Sequence, residues 1–255
     1  MGMVQGVSEW LPISSEGINS LIMVNFFGKT LADAVVYSIW LHTGTVLAAA
    51  VYFRDEVLKL LENFPLYVKN PKKDTDENRL TTFLIASTAL TGIIGLPILL
   101  FGIDRANFSG EMATAFIGLL LIFTGLLQKY SKGPSGKGDI TLKDSVLVGS
   151  LQAFSVLPGI SRSGITTSVL LLKKYEARSA LKLSFLMSIP VVFAAEVGLA
   201  LLGKLTIDAY SLLAVAISFV FGLLTIGILM EIADRVNFGN FCILLGLLSL
   251  AAVLV

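Results

Sequence analysis

Two short polar stretches contain the side chains of this chain that are best suited to bind phosphate. One of them, PGISRSGIT, begins at Pro158 and places Arg162 among hydroxyl groups. Arginine presents a planar fork of N–H donors that matches phosphate oxygens. A helix that begins beside it adds unpaired backbone N–H groups and the positive end of its dipole. The residues predicted to bind phosphate are Ser14, Ser161, Arg162, Ser163 and Thr166.

The other stretch, QGVSEWLPISS, begins at Gln5 and adds acidic chemistry. Gln5 and Glu9 are one helical turn apart, so their oxygens share a face and suit Mg²⁺ or Ca²⁺. We expect them to hold a divalent cation that bridges Glu9 and a diphosphate and neutralises charge as a bond breaks. Ser14 or Ser15, at the end of this stretch, is placed to act as a nucleophile or to donate to phosphate.

His42 is the only histidine of the chain, and it lies in an apolar run long enough to span a membrane. An ionisable side chain inside a membrane is costly, which favours a role in a functional site. A lone histidine also commonly serves packing, and the sequence leaves both interpretations open. His42 is therefore a candidate site residue.

The composition indicates a membrane protein. Of the 255 residues, 55% are hydrophobic and 15% are charged, whereas soluble domains have about 25% charged residues. The deficit extends along the whole chain, which predicts a single all-α polytopic membrane domain over residues 1–255. The net charge of +1 gives no electrostatic case for nucleic acid. The single cysteine excludes an intrachain disulfide.

The apolar runs predict six transmembrane helices and two re-entrant helical hairpins. Crossing the hydrocarbon takes about 20 apolar residues. The predicted spans are 34–53, 80–101, 112–129, 183–202, 209–230 and 238–255. Segments 1–28 and 145–172 are equally long but are interrupted by Pro, Gly, Ser and a charge. Such breaks are tolerated at membrane depth only where protein or a cavity surrounds the backbone.

The basic residues agree with this topology. With both broken segments as hairpins, fifteen Lys and Arg residues lie on one side and only Lys29, Arg105 and Lys204 on the other. The positive-inside rule makes the richer side cytoplasmic. If either broken segment crossed the membrane fully, the charges would be scattered over both sides.

The two broken segments are related to each other. Residues 2–18 align without gaps over residues 149–165, with seven identities in 17 positions. DRANF at 104–108 and DRVNF at 234–238 give a second correspondence. We predict two repeats of opposite orientation, residues 1–130 and 145–255, joined by a linker over 131–144. Their tips would converge near the midplane, where such proteins commonly place a substrate site.

These stretches resemble the two signature motifs of the undecaprenyl-diphosphatase (bacitracin-resistance) family. Gln5 to Ser15 is similar to (E/Q)xxxE followed by P-x-S-S, and Pro158 to Thr166 is similar to PGxSRSxxT. Trp40 to Val57 and Ser184 to Ala195 are also similar to family segments. The resemblance implies an integral-membrane, metal-dependent phosphatase that removes the terminal phosphate of polyprenyl diphosphate and regenerates the lipid carrier of envelope glycan synthesis.

The resemblance also implies residue roles and reveals one departure. It assigns metal or acid/base roles to Gln5 and Glu9, the nucleophile to Ser15, and phosphate binding to Ser161, Arg162 and Thr166. Bacterial members commonly carry threonine and histidine where this chain has Glu16 and Ile18. Glu16 or His42 would then supply the acid/base group. The predicted catalytic residues are Glu9, Ser15, Glu16, His42 and Arg162.

Two other functions fit the same sequence. A flippase that moves polyprenyl phosphate without hydrolysis would need the phosphate site but no nucleophile. An anion or sugar-phosphate transporter on the same architecture is a third interpretation. The expected partners are an isoprenoid diphosphate lipid and the bilayer, a homodimer is compatible with the sequence, and no nucleic acid is expected. The expected location is the plasma membrane, with the site opening to the outer side.

Overall fold

Helices are the regular secondary structure of the described part of the chain, and turns connect them. A computed structural model describes residues 1–103, 109–131, 140–205, 207–232 and 238–253, and these contain no strand. The α-helices of these residues are α1 Gly2–Ser8, α2 Ser15–Phe27, α3 Leu31–Tyr52, α4 Arg54–Lys69, α5 Asp76–Pro97, α6 Gly110–Tyr130, α7 Leu142–Gln152, α8 Arg162–Leu172, α9 Ala177–Leu201, α10 Ala209–Ile232 and α11 Phe238–Ala252. A π-helical turn over Ile98–Ile103 extends α5, and a 3₁₀ turn over Ala153–Val156 follows α7.

Several of these helices have the length and composition of membrane spans. Within the described ranges, five qualify: Leu31–Tyr52, Asp76–Gly102, Gly110–Tyr130, Ala177–Leu201 and Ala209–Glu231. The predicted all-α polytopic membrane fold is therefore confirmed. The sixth predicted span, 238–255, corresponds to the shorter apolar helix α11. The count of six spans stays a prediction.

Helix α4 was not anticipated from the sequence, because its many charges are typical of a solvated connection. Asp55 and Glu56 lie in its first turn and Lys69 in its last, which suits the helix dipole. Val57, Leu60, Leu61 and Phe64 recur at helical spacing, and this face lines a groove against α5. The connection after α3 is therefore an amphipathic helix.

Each broken segment folds as a helix, a polar turn and a second helix. The second helices, α2 and α8, begin where the sequence predicts half-helices, and both begin with the same cap. Ser14 Oγ accepts from the N–H of Gly17 at 3.1 Å, and Ser161 Oγ accepts from the N–H of Gly164 at 3.0 Å. A serine three residues ahead of a free helical N–H satisfies one of the unpaired donors of the first turn. Identical residues of the two aligned segments therefore make identical bonds.

The first helices of the two segments, α1 and α7, also pack in equivalent ways. Helix α1 packs on α10, and α7 packs on α5. A Cβ on Gly2 would lie 2.1 Å from the carbonyl oxygen of Ala214, and one on Gly149 would lie 2.6 Å from that of Ser87. These aligned glycines thus allow equivalent close backbone contacts. The division into two inverted repeats stays a prediction, since DRANF and most of DRVNF lie outside the described residues.

The core anchors the first polar turn. Trp10 follows Glu9 directly and is 1% exposed. Its indole N–H donates to the carbonyl of Gly222 at 2.8 Å, and its ring meets that of Phe185 edge-on with centroids 5.0 Å apart. A buried indole that is both packed and hydrogen-bonded holds one position. Trp10 thereby fixes the backbone that presents Glu9.

Candidate active site

The two polar turns touch each other. Ser14 Oγ accepts a second hydrogen bond, from the N–H of Gly159 at 3.1 Å. Ser14 has φ 64° and Gly159 has φ 106°, so both turns use the left-handed region. A Cβ on Gly17 would lie 2.8 Å from the nitrogen of Gly159. The tips of the two segments are therefore interlocked at backbone distance.

Glu9 is the centre of the polar cluster at this contact. Its Oε2 accepts from Ser15 Oγ at 2.6 Å and from Gln5 Nε2 at 2.9 Å, and it lies 3.0 Å from His42 Nε2. Its Oε1 accepts from Nη2 of Arg162. The carboxylate is 5% exposed, so protein donors replace its water. Residues of α1, α2, α3 and α8 meet here.

His42 lies on α3 and faces an acceptor with each ring nitrogen. Nε2 meets Glu9, and Nδ1 lies 2.6 Å from the carbonyl oxygen of Ser38. A carbonyl oxygen can only accept, so Nδ1 must carry a proton. The carboxylate of Glu9 likewise requires a proton on Nε2. The arrangement therefore fits an imidazolium.

Arg162 is the first residue of α8 and connects three elements. Nη2 donates to Glu9, and Nη1 donates to the carbonyl of Ser184 on α9 at 3.2 Å. Its buried Nε has no hydrogen-bond partner among the described residues. An unused guanidinium N–H at a helix N-terminus is a donor available to an anion.

A small cavity of about 20 Å³ lies at this cluster. It brings together eight predicted site residues, namely Glu9, Ser14, Ser15, Glu16, His42, Ser161, Arg162 and Ser163. Ser155 and Ile160 also line it and were not predicted. Ser155 aligns with Ser8 of the first segment. This identity between the two segments is the sequence signal that could have marked Ser155 as a site residue. The cavity is lined by two cationic side chains, hydroxyl groups and two glutamates.

Two predicted site residues lie outside the cavity. Gln5 is fully buried behind Glu9. Its Oε1 accepts from Nδ2 of Asn19 at 2.7 Å, and Asn19, which was not among the predicted site residues, is itself fully buried. Thr166 is also fully buried, and its Oγ1 lies 2.6 Å from Ser184 Oγ. It fastens α8 to α9 and does not face the cavity.

The residues predicted to hold a divalent cation do not fit that role in this arrangement. Both oxygens of Glu9 and the single side-chain oxygen of Gln5 already accept hydrogen bonds from protein donors. No group of three or more His, Cys, Asp or Glu side chains suited to a metal occurs in the described ranges. Glu16 differs, because its Oε1 is buried without a partner there and the residue lines the cavity. A free carboxylate oxygen suits Mg²⁺ or Ca²⁺.

These features define a polytopic helical membrane protein with a buried polar pocket, lined by Arg162, His42 and hydroxyl groups, where two helix N-termini meet. Residues 1–250 match the family described as bacitracin resistance protein BacA. The chain belongs to this family, which confirms the resemblance seen in its two motifs.

Several curated relatives of the chain are named undecaprenyl-diphosphatase. The chain is 50% identical over 250 residues to an undecaprenyl-diphosphatase of Methanococcoides burtonii, covering 98% of this chain and 94% of that protein. It is 40% identical to an undecaprenyl-diphosphatase of Methanothrix thermoacetophila, covering 98% and 94%. For the one of Haloarcula marismortui the identity is 37%, covering 96% and 92%.

Proposed function

We propose that this chain is an integral-membrane diphosphatase. It removes the terminal phosphate of an undecaprenyl-type diphosphate and leaves the polyprenyl monophosphate carrier. Its family and the names of its relatives support this activity. The observation that carries the proposal is the hydrogen bond of 2.6 Å from Ser15 Oγ to Glu9, beside Arg162 and His42.

The substrate phosphate binds by competing with Glu9 for its cationic partners. Arg162 offers its unused Nε and the fork that now contacts Glu9. The first turns of α2 and α8 add backbone N–H groups without intrahelical acceptors. As Arg162 and His42 turn to phosphate oxygens, the carboxylate of Glu9 loses its counter-charges. Its affinity for a proton then rises.

Glu9 then accepts the proton of Ser15. The Oγ of Ser15 attacks the terminal phosphorus while its proton moves to Glu9. The bond between that phosphorus and the bridging oxygen breaks, and the bridging oxygen leaves with the lipid monophosphate. In a second step water attacks the phosphoserine phosphorus and the bond from phosphorus to Ser15 Oγ breaks. Glu9 returns its proton to Ser15 Oγ, and the proton lost by the water leaves with inorganic phosphate. Arg162 stabilises the charge on the equatorial oxygens in both steps.

His42 takes the place of the histidine that bacterial members carry where this chain has Ile18. His42 lies on α3, and its Nε2 is 3.0 Å from the carboxylate of Glu9. Its imidazolium stabilises charge on the transferred phosphate and can protonate a phosphate oxygen. Glu16 supplies a further acid/base group at the rim of the cavity. A divalent cation, Mg²⁺ or Ca²⁺, would be held by Glu16 with substrate oxygens, where it would neutralise diphosphate charge.

The proposed location is the plasma membrane, with the pocket opening to the outer side. The asymmetry of the basic residues supports this orientation. Lys182 of α9 bonds Glu56 of α4, and Lys173 lies 3.5 Å from Asp144 of α7, so segments assigned to the cytoplasmic side contact each other in the fold. The relatives named as diphosphatases do not favour a flippase without hydrolysis.

The test is phosphate release from undecaprenyl diphosphate by the purified protein in detergent with Mg²⁺. A substrate radiolabelled in its terminal phosphate should label the protein at Ser15, and Ser15→Ala should abolish both label and turnover. Ser20→Ala is the matched control, because Ser20 is buried on the same helix away from the cavity. Turnover by Ser15→Ala at the parental rate would refute the nucleophile. Lipid monophosphate crossing liposome membranes without hydrolysis would favour the flippase.

A further inference from the structure

The seam between α5 and α9 contains an apolar cavity that leads to the candidate active site. Its volume is about 260 Å³. Glu16, His42 and Arg162 line one part of it, and Ser155 lines both this cavity and the small one. The remaining walls are mostly apolar and include Leu96, Leu99, Val191, Val192, Ala195 and Leu199. One space therefore joins a cationic pocket to an apolar channel.

A second apolar groove continues along the same seam. It has a volume of about 430 Å³ and lies between α4, α5 and α9. Thr88 lines both spaces and so marks the point where they adjoin. Its Oγ1 is buried without a partner among the described residues. The two spaces together follow α5 from Thr81 to Leu99, most of the length of a membrane span.

From this arrangement we infer that the α5–α9 seam holds the isoprenoid tail of the substrate. This inference rests on the proposed function and deepens it. The phosphate end lies at Arg162, and the tail runs along the seam past Thr88 and under α4. An occupant must be an amphiphile with an anionic head. Its head would pair with the cationic side chains at Arg162, and its hydrocarbon would contact the apolar walls. The two spaces adjoin end to end at Thr88 along one pair of helices, an elongated shape that favours one long isoprenoid chain over the two acyl chains of a phospholipid.

Two glycines give this seam its width. Gly92 on α5 and Gly198 on α9 both line the cavity. A Cβ on either would meet no heavy atom within 4 Å. A leucine there would extend into the cavity without displacing a neighbouring helix, and it would also favour the helix over glycine. Substitution at these positions narrows the channel selectively.

Gly92→Leu and Gly198→Leu should impair long-chain substrates only. For undecaprenyl diphosphate we expect KM to rise at least about tenfold, the effect of losing two buried methylene contacts. For farnesyl diphosphate, whose short tail does not fill the seam, kcat/KM should stay within about twofold of the parent. Gly227→Leu on α10 is the matched control. Its Cβ would meet only Tyr52, at 3.5 Å, outside both spaces.

Each outcome decides the inference. Equal losses for both substrates, or no loss for either, would overturn it while leaving the proposed function intact. Parent protein that hydrolyses neither substrate would refute the function instead. Photo-crosslinking then tests the seam independently, with an isoprenoid phosphate that carries a photoreactive group at its far end. Labelling of α5, α9 or α4 that Gly92→Leu suppresses supports the inference, and equal labelling by a photoreactive phospholipid overturns it.

Discussion

His42 Nε2 lies 3.0 Å from Glu9 Oε2, although the two residues belong to different helices and neither is exposed. The pair joins the only histidine of the chain to the carboxylate that also accepts from Ser15. In a pocket largely closed to water, such a pair fixes the position and charge of both groups. It also places a cation where a phosphate would compete for it.

We therefore expect His42→Ala to lower kcat about 100- to 1,000-fold, the range for loss of an acid/base group. His42→Gln should retain more activity, since its amide N–H can still donate to Glu9. Steady-state phosphate release measures both. The melting temperature of each variant separates this role from packing, and His42→Ala with full kcat but a lowered melting temperature would make His42 structural.

Arg162→Lys should lower kcat/KM about 100-fold. The guanidinium donates to Glu9 and to the carbonyl of Ser184, and its Nε has no hydrogen-bond partner among the described residues. A lysine retains the charge but has no planar fork, so it cannot serve these partners at once. Kinetics on undecaprenyl diphosphate test this. Lys182→Arg is a control on α9 outside the cavity, and equal activity of Arg162→Lys and the parent would contradict the assignment.

Glu16→Gln should raise the Mg²⁺ concentration needed for half-maximal activity at least about tenfold, because it replaces the carboxylate that carries the free oxygen with a neutral amide. Mn²⁺ binding, followed by electron paramagnetic resonance with a non-hydrolysable diphosphonate lipid, should weaken in parallel. Gln5→Ala is the comparison. A change in the Mg²⁺ requirement with Gln5→Ala but not with Glu16→Gln would show that the cation binds at Gln5 and Glu9, as predicted from the sequence.

Gly17→Ala should lower activity about 10- to 100-fold by separating the two tips. The new Cβ would lie 2.8 Å from the nitrogen of Gly159, so one backbone must move. A backbone shift that moves a reacting group out of position commonly lowers the rate by factors of this size. Gly227→Ala, whose Cβ has an ordinary contact, is the control for measurements of kcat and melting temperature. Parental activity in Gly17→Ala would show that the tips need not touch.

The Glu56–Lys182 pair should make the docking of α4 sensitive to acid. Burial raises the pKa of the Glu56 carboxyl, but the hydrogen bond from Lys182, a backbone hydrogen bond and the charges of Lys182 and Lys59 together hold the pKa below its ordinary value of 4.5. A lowered pKa in the folded state gives stability that is full above pH 4.5 and is lost as pH falls through the folded pKa.

Both side chains of this pair are partly exposed, so its contribution is within about 1 kcal/mol. Glu56→Gln should therefore lower the melting temperature slightly at pH 7 and have a smaller effect at pH 3. Thermal unfolding in detergent at the two pH values measures this, with Glu62→Gln on the same helix as the control. An equal effect of Glu56→Gln at both pH values would contradict an ionic origin.

The local features of the fold were readable from the sequence because they arise from neighbours along the chain. Apolar runs predicted the long helices, and the Pro, Gly and Ser residues that interrupt segments 1–28 and 145–172 predicted the two polar turns. Helix α4 was not predicted, because charged residues are spread along it and its apolar face is narrow. The predicted site residues were likewise visible as types, and the structure brings eight of them together in one site.

The sequence by itself determined the class of protein, its helical segments and the identity of its polar side chains. It did not determine which of their atoms remain free. Only the tertiary structure decided that Gln5 and Thr166 are satisfied by protein partners, that His42 reaches Glu9, and that Glu16 keeps an open oxygen. Spacing along one helix gives the direction of a side chain. Its hydrogen-bond partners come from helices that are distant in sequence, so they are fixed only when those helices pack.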